Sequence, residues 1–304
     1  MKTLCFEIEA QTEFSTHIKG DTLFALMCCQ IADCYGQERL NDLLSDYTKN
    51  NPFMIVSDFF PKGYLPRPTI PNDSFGNIPS TNERKKFKQK KWIDVADIKQ
   101  PINQWSQFLK AIPYQQIVTR MHNAVNPKTG LVDGEAFSPY TLKSVHYACN
   151  SSVYMLYDET RITADELQTM LTNLGLFGIG RNATRGTGKF VVKNVTDIHF
   201  PQATGQYVMT LAPCIPQTSN VNSQKSYYKL FTRFGKQFYI SDTETFVHKN
   251  PVLTADTGAV FYLNEKTKKP YIGCGIKNVA RDSKVVFQGY APIISLIWEK
   301  EDAY

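Results

Sequence analysis

Residues 163–195 read TADELQTMLTNLGLFGIGRNATRGTGKFVVKNV and contain a helix, a glycine-rich loop and a strand in direct succession. The segment opens with a capping box, in which the Thr163 hydroxyl accepts from the Glu166 amide and the Glu166 side chain reaches back. Apolar residues then recur at helical spacing, and Gly175 stands where a C′ glycine ends a helix. The sequence therefore predicts a helix from Thr163 to about Gly175, a glycine loop over 178–189 and a strand after it.

The residues before this stretch supply the other elements of one fold. Thr3–Ala10 alternates between apolar and charged residues, as a half-buried strand does. Gly20 and Asp21 begin an apolar helix, Phe53–Phe60 is a short apolar run, and Ser152–Tyr157 resumes a strand. The resulting order, strand–helix–strand–strand–helix–strand, is that of a ferredoxin-like fold.

A chain of 304 residues is long for one domain and sufficient for two. A second series of elements begins after Pro201–Gly205, and within it Ser226–Phe234 is predicted to form a short helix. The predicted strands of this part are Tyr207–Leu211, Gln237–Ile240, Ala259–Leu263, Tyr271–Gly273, Val285–Phe287 and Ile293–Trp298. We therefore expect an α+β protein with two ferredoxin-like (RRM-like) domains, residues 1–200 and a smaller domain of residues 201–304.

Two insertions are expected within the first domain. One covers about residues 71–100 and contains the basic run Arg84–Trp92, in which Phe87 and Trp92 are available to stack on bases. The other covers about residues 115–139. It is polar and rich in turn residues, which predicts a projecting hairpin with its tip near Asn126–Gly130.

Positive charge is concentrated in windows that contain no acidic residue. The formal net charge is +6, from 34 Lys and Arg against 28 Asp and Glu. No acidic residue lies between Lys110 and Asp133, between Glu166 and Asp197, or between Asp197 and Asp242. Such windows favour a polyanionic partner. Solvated charge runs remain the alternative interpretation.

Most candidate RNA-binding residues lie in these windows, in the basic run and just after the first strand, and Arg67 lies in the extended segment Tyr64–Pro68. The glycine loop can bring backbone amides and cations to phosphates, although it can also be a simple connection. Lys225, Lys229, Arg233 and Lys236 share one face if their segment is helical. The candidates are His17, Arg67, Lys85, Lys86, Lys88, Lys90, Lys91, Arg120, Lys128, Gly178, Gly180, Arg181, Arg185, Gly186, Gly188, Lys189, Lys229 and Arg233.

Other chemistries fit the sequence less well. Gly178, Gly180 and Ala183 match a dinucleotide-binding fingerprint, but that motif must follow a strand and open a helix. A P-loop would need glycine at Ala183 and Ser or Thr at Phe190. The five histidines are scattered, and none belongs to a set with metal-ligand spacing. We expect no catalytic residue, no metal and no cofactor.

The cysteine pattern favours a reducing compartment. The seven cysteines are odd in number, and three of them lie in one apolar segment. The first ten residues do not have the apolar region of a signal peptide, and no apolar run is long enough to cross a membrane. We expect a cytoplasmic protein.

The order of several blocks resembles the RAMP proteins of CRISPR systems and, within them, the family of the fourth subunit of the type III-A Csm complex. The resemblance covers essentially the whole chain. The blocks are Asp21–Phe24, Ser57–Pro61 followed by Gly63–Pro68, the lysine run ending at Trp92, the glycine loop with Phe190, Tyr228–Gly235 and Gly289–Pro292. Relatives often have a further glycine and adjacent basic residues where Arg181-Asn182-Ala183 stand here, so the side chains that touch RNA are not fixed by this resemblance.

This resemblance implies a non-catalytic subunit of a prokaryotic complex that holds the 5′ tag of the crRNA. It implies two protein partners, the large polymerase subunit and a backbone RAMP subunit. The 115–139 hairpin would be the thumb that kinks the guide–target duplex, so target RNA would be met only indirectly. Two alternatives stay open: an endoribonuclease that processes CRISPR transcripts with His17 as general base, and an adaptor whose basic residues face acidic proteins.

Overall fold

A computed structural model describes residues 1–76, 81–132, 139–200, 205–217, 219–235, 249–267, 269–280 and 284–298. The helices are α1 (Gly20–Tyr35), α2 (Gln37–Leu44), α3 (Thr81–Gln89), α4 (Trp105–Phe108) and α5 (Ala164–Phe177). The strands are β1 (Lys2–Ala10), β2 (Met54–Val56), β3 (Phe60–Pro61), β4 (Tyr64–Pro66), β5 (Trp92–Asp94), β6 (Gln115–His122), β7 (Tyr140–Tyr147), β8 (Ser151–Tyr157), β9 (Phe190–Asp197), β10 (Tyr207–Thr210), β11 (Val221–Tyr227), β12 (Leu230–Arg233), β13 (Val252–Ala255), β14 (Val260–Leu263), β15 (Tyr271–Gly273) and β16 (Tyr290–Leu296). None of the described helices has the length and apolar composition that a membrane span requires.

The first sheet has the strand order of a ferredoxin-like fold. Its strands lie in the order β2-β8-β1-β9, with β3 pairing beside β2 on β8, and every pair is antiparallel. Alternate residues of β1, namely Leu4, Phe6 and Ile8, are buried in the same core as the inner faces of α1 and α5. The period-two pattern of the sequence therefore predicted the buried face correctly, and the α+β fold class is confirmed.

Helix α5 begins as predicted but ends later. The capping box is present, with Thr163 Oγ1 accepting from the Glu166 amide. The helix continues to Phe177, and its C-cap is Gly178 rather than Gly175. The prediction of Gly175 as C′ was wrong because this glycine serves packing: a Cβ there would lie 2.3 Å from the carbonyl oxygen of Phe190.

The second sheet has the order β11-β14-β10-β16-β15. The first four of these strands follow the same relative order as the ferredoxin-like sheet, but no helix occurs among the described residues that connect them. The domain boundary at residue 200 stays a prediction. Within this half, Val285–Phe287 forms a single bridge to Ile276 instead of a strand, and the predicted strand Gln237–Ile240 lies outside the described residues.

The predicted helix over Ser226–Phe234 is wrong. The segment contains the end of β11 and all of β12, which pairs with β13 through Phe231 and Thr254. Helical spacing of the basic residues was misleading, because Leu230 and Phe231 stand in a strand whose partner is distant in sequence. Lys229 and Arg233 therefore do not share a helical face, and Lys236 lies outside the described residues.

The basic insertion (about residues 71–100) contributes to a hydrophobic core. Phe87, on α3, is buried together with Phe75 of the insertion and Trp105 of α4, and with Tyr154 of the first sheet and Met209 of the second. Phe87 is consequently unavailable for stacking on a base. The insertion joins the two sheets.

We predict that Gly175→Ala lowers the free energy of unfolding by about 1–3 kcal/mol, as overpacking does. Helix propensity alone predicts the opposite, a gain of about 1 kcal/mol, but the added Cβ would clash with Phe190. Urea unfolding measures the change. Thr172→Ala, at an exposed position of the same helix, is the control and should stay within about 0.5 kcal/mol of the wild type. A more stable Gly175→Ala variant would contradict the prediction.

Candidate nucleic-acid interface

The glycine loop (residues 178–189) is closed by contacts between its two ends. The Ile179 amide donates to the carbonyl oxygen of Gly188 at 3.0 Å. Gly178 and Gly188 have positive φ angles of 84° and 76°. A Cβ at Gly188 would lie 1.9 Å from the carbonyl oxygen of Ile179, and one at Gly178 would lie 2.5 Å from that of Thr187. Only glycine fits at these two positions.

The loop lies against the segment that follows β1. The Gly188 amide donates to the carbonyl oxygen of Glu13 at 2.8 Å, and the Gln11 amide donates to that of Lys189, also at 2.8 Å. Both bonds fix the loop's backbone and leave its side chains outside. Its basic side chains, Arg181, Arg185 and Lys189, are exposed. They form no ion pair with the residues that the structure describes.

The β6–β7 hairpin turns one face towards the same segment. Glu13 accepts at 2.5 Å from Arg120 on β6 and at 2.5 Å from the Ser144 hydroxyl on β7. Arg185 of the glycine loop approaches the Tyr140 hydroxyl of the hairpin at 3.4 Å. The hairpin and the glycine loop are thus held side by side. The turn predicted at the hairpin tip is present, with the Gly130 amide donating to Asn126, while residues 133–138 lie outside the described ranges.

A cleft of about 370 Å³ lies between the loop and the hairpin and is lined by residues 10–13, Arg120, His146 and Thr187. Hydrogen bonds from Arg120 and Ser144 hold the pKa of Glu13 below its usual value. Glu13 is therefore ionised at neutral pH, and Arg120 balances its charge. Arg120, which the sequence predicts to bind RNA, lines this cleft. Its guanidinium already forms an ion pair with the Glu13 carboxylate.

His17 packs at the base of the hairpin. Its Nδ1 lies 3.1 Å from the Tyr147 hydroxyl, and the Gln115 side-chain amide contacts the same nitrogen. Burial lowers the pKa of His17 below its ordinary value of 6.5, which the charge of Asp58 partly opposes. The imidazole is consequently neutral at pH 7 and fixed in position by its two neighbours.

Arg67 serves the insertion itself. Its guanidinium lies 4.4 Å from the centre of the Phe75 ring and 4.3 Å from that of Phe87. It also donates to the side-chain oxygen of Asn72 at 2.6 Å and to the carbonyl oxygen of Phe87 at 3.2 Å. Arg67 is half-buried, and these contacts stabilise the insertion. The spacing of residues in the sequence did not indicate this role.

The remaining basic residues that were predicted to bind RNA are either exposed or bound to other residues of the chain. Lys85, Lys86 and Lys88 on α3 are exposed, as are Lys91, Lys128 and Lys229. Lys90 is half-buried and donates to the carbonyl oxygen of Ser106 at 3.3 Å. Arg233 forms an ion pair at 2.6 Å with Asp21 at the start of α1. Burial raises the pKa of Asp21, and Arg233 opposes that rise. Arg233 thus links β12 to α1.

A second ionic contact between the two halves was missed by sequence analysis. Lys19 Nζ lies 3.1 Å from Asp58 and 2.6 Å from Asp256, and Asp58 is buried. Gly20 and Thr257 also donate to the Asp58 carboxylate. The one available signal was a lone aspartate inside the apolar run Phe53–Phe60.

The first sheet, the glycine loop and the adjoining hairpin form an α+β fold with ferredoxin-like strand order. No protein-family model and no curated protein matches this chain. Solved structures do match it along nearly its whole length. A structure of the Csm3–Csm4 subcomplex in the type III-A CRISPR-Cas interference complex has a TM-score of 0.60 at 15% identity and covers 97% of this chain and 99% of its own.

Two structures of the Csm1–Csm4 cassette match similarly. The complex with pppApA has a TM-score of 0.59 at 16% identity, and the complex with cA4 has 0.62 at 12% identity. Each covers 99% of this chain and 100% of its own. Csm4 is the subunit common to all three, and the chain resembles it in fold.

We predict that the protein loses stability as the pH falls below about 6.5, in part through His17. The unfolded chain binds a proton there that the folded chain does not, because the folded pKa is depressed. The slope from this residue is at most about 1.4 kcal/mol per pH unit. Urea unfolding at pH 7.5 and 5.5 should show a smaller loss in His17→Gln than in the wild type. Parallel pH profiles would refute this assignment.

Proposed function

We propose that this chain is an RNA-binding subunit of a type III-A CRISPR (Csm) interference complex and that it grips the 5′ tag of the crRNA. The observation that carries the proposal is the glycine loop with Arg181, Arg185 and Lys189 exposed beside the β6–β7 hairpin. The fold shared with Csm4-containing complexes supports the assignment. Neither the exposed cations of the loop nor the shared fold requires a catalytic group.

The loop suits phosphates in particular. Its backbone is shaped by glycines, and a Cβ at Gly180 or Gly186 would meet no atom within 4 Å. An RNA backbone can therefore approach these positions closely, with the three cations around it. Contacts of this kind hold a strand without reading its bases.

The partners follow from the same likeness. Structures of the same fold occur in complexes with Csm1 and with Csm3. We extend this pairing to the present chain, which would connect a large polymerase subunit to a backbone RAMP subunit. In this arrangement the hairpin would act as the thumb beside the guide–target duplex.

Replacing Arg185 and Lys189 together by glutamine tests the RNA contact. The dependence of log Kd on log salt for tagged crRNA should become shallower by about 1.4, because each phosphate contact to a single strand contributes about 0.7. Titration at two salt concentrations, with the chain alone and in its complex, measures this slope.

Lys2→Gln is the matched control for that experiment. It removes one positive charge at the opposite end of β1, eight residues and roughly 26 Å from Ala10, where Lys2 pairs with Glu159. Its slope should equal that of the wild type. An unchanged slope in the double variant would count against phosphate contact by the loop.

We also propose that the chain does not cleave RNA. Two neighbours hold Nδ1 of the one candidate base, His17, and its position under the hairpin is a packing position. Purified protein incubated with repeat RNA in EDTA should leave it intact. Metal-independent cleavage that disappears in His17→Ala would instead establish the endoribonuclease alternative.

A further inference from the structure

Two apolar side chains at the end of α5 lie in water immediately before the glycine loop. Leu176 is 65% exposed and Phe177 is 74% exposed. Phe177 is the last helical residue, and the next residue, Gly178, turns the chain with a φ of 84° while its amide donates to Leu174. The ring therefore stands at the edge where the helix meets the loop.

The surroundings of this ring are positively charged. The Lys189 side chain passes beside Gly178, with its Cγ 3.3 Å from the place that a Cβ would occupy there. Arg181 follows four residues after Phe177 and is exposed. No acidic residue occurs from Leu167 to Thr196. An exposed aromatic ring and unneutralised cations are the two components of a surface for single-stranded nucleic acid.

The other highly exposed phenylalanine has a different environment. Phe234 is 73% exposed, but the neighbouring Arg233 is neutralised by Asp21. Lys249, whose side chain lies beside the next residue, Gly235, is half-buried. The cations beside Phe177 are exposed and form no ion pair with a described residue. This combination distinguishes it from a scattered surface hydrophobe, which needs no explanation.

We propose that Phe177 is a stacking platform for one base of the RNA strand whose phosphates contact the glycine loop. This inference rests on the proposed function and adds the class of ligand: an unpaired nucleotide, because both faces of a base inside a duplex are already covered. The base meets the uncharged ring at the helix end, and the phosphates meet Arg181, Arg185 and Lys189. Stacking of this kind tolerates any base.

The experiment compares three variants of the full chain in its complex with tagged crRNA. Phe177→Ala should weaken binding about 5- to 150-fold, which corresponds to the usual worth of one stacked base. The factor should be equal at two salt concentrations, because no charge is lost. Phe177→Trp should retain binding. Leu176→Ala removes a neighbouring exposed apolar side chain without an aromatic ring and should stay within about twofold of the wild type.

Several outcomes would overturn the stacking proposal. These are wild-type affinity in Phe177→Ala, or an equal loss in Leu176→Ala. Unchanged RNA affinity with loss of copurifying partner subunits would assign the ring to a protein contact instead. If replacing Arg185 and Lys189 weakens RNA binding while replacing Phe177 does not, only the stacking proposal is wrong. If neither the double variant nor Phe177→Ala changes RNA affinity, the proposed function itself is wrong.

Discussion

The candidate RNA-binding surface depends on one residue, Glu13, in the connection between β1 and α1. Its carbonyl oxygen accepts from Gly188 in the glycine loop, and its carboxylate accepts from Arg120 and Ser144 on the two strands of the hairpin. A carboxylate beside the exposed cations of the glycine loop opposes the binding of a polyanion. Glu13 has a structural role that explains its presence, because it holds the glycine loop and the hairpin, which are far apart in sequence, next to each other. The β-bridge between Phe14 and Val145 adds a backbone link to the same junction.

Ion pairs to two buried carboxylates, Asp58 and Asp21, constrain the rest of the molecule in a comparable way. Lys19 with Asp58 and Asp256, and Arg233 with Asp21, all lie around the start of α1. Burial lowers the pKa of Lys19, but the two carboxylates outweigh it and the net shift is upward. Leaving a fully buried carboxylate without its cation typically costs about 3–5 kcal/mol, and the partial exposure of Lys19 and Arg233 reduces that cost here. These contacts define how the second half meets the first. They also remove Arg233 from the charges freely available to RNA.

Local signals account for what the sequence could predict. The Thr163 capping box, the alternation of β1 and the glycine loop each depend on residues within a few positions of one another. The predictions that were wrong concern residues whose contacts are distant in sequence. Gly175 was taken for a helix end because its contact, Phe190, belongs to the next strand. The helical spacing of Lys229 and Arg233 concealed a strand whose partner, β13, is recognisable only in the folded chain. Glu13 had no signal at all, since its side-chain partners lie more than a hundred residues away.

The same distinction bears on how a chain that is only 12–16% identical in sequence to these solved structures has a similar fold. The closed shape of the glycine loop constrains φ angles and close contacts of its backbone, and it places few demands on particular side chains. Those constraints fall on Gly178 and Gly188, where a Cβ would strike the opposite side of the loop. Gly180 and Gly186 face open space. The two ends of the loop therefore fix its shape, and the cations between them, Arg181 and Arg185, are exposed.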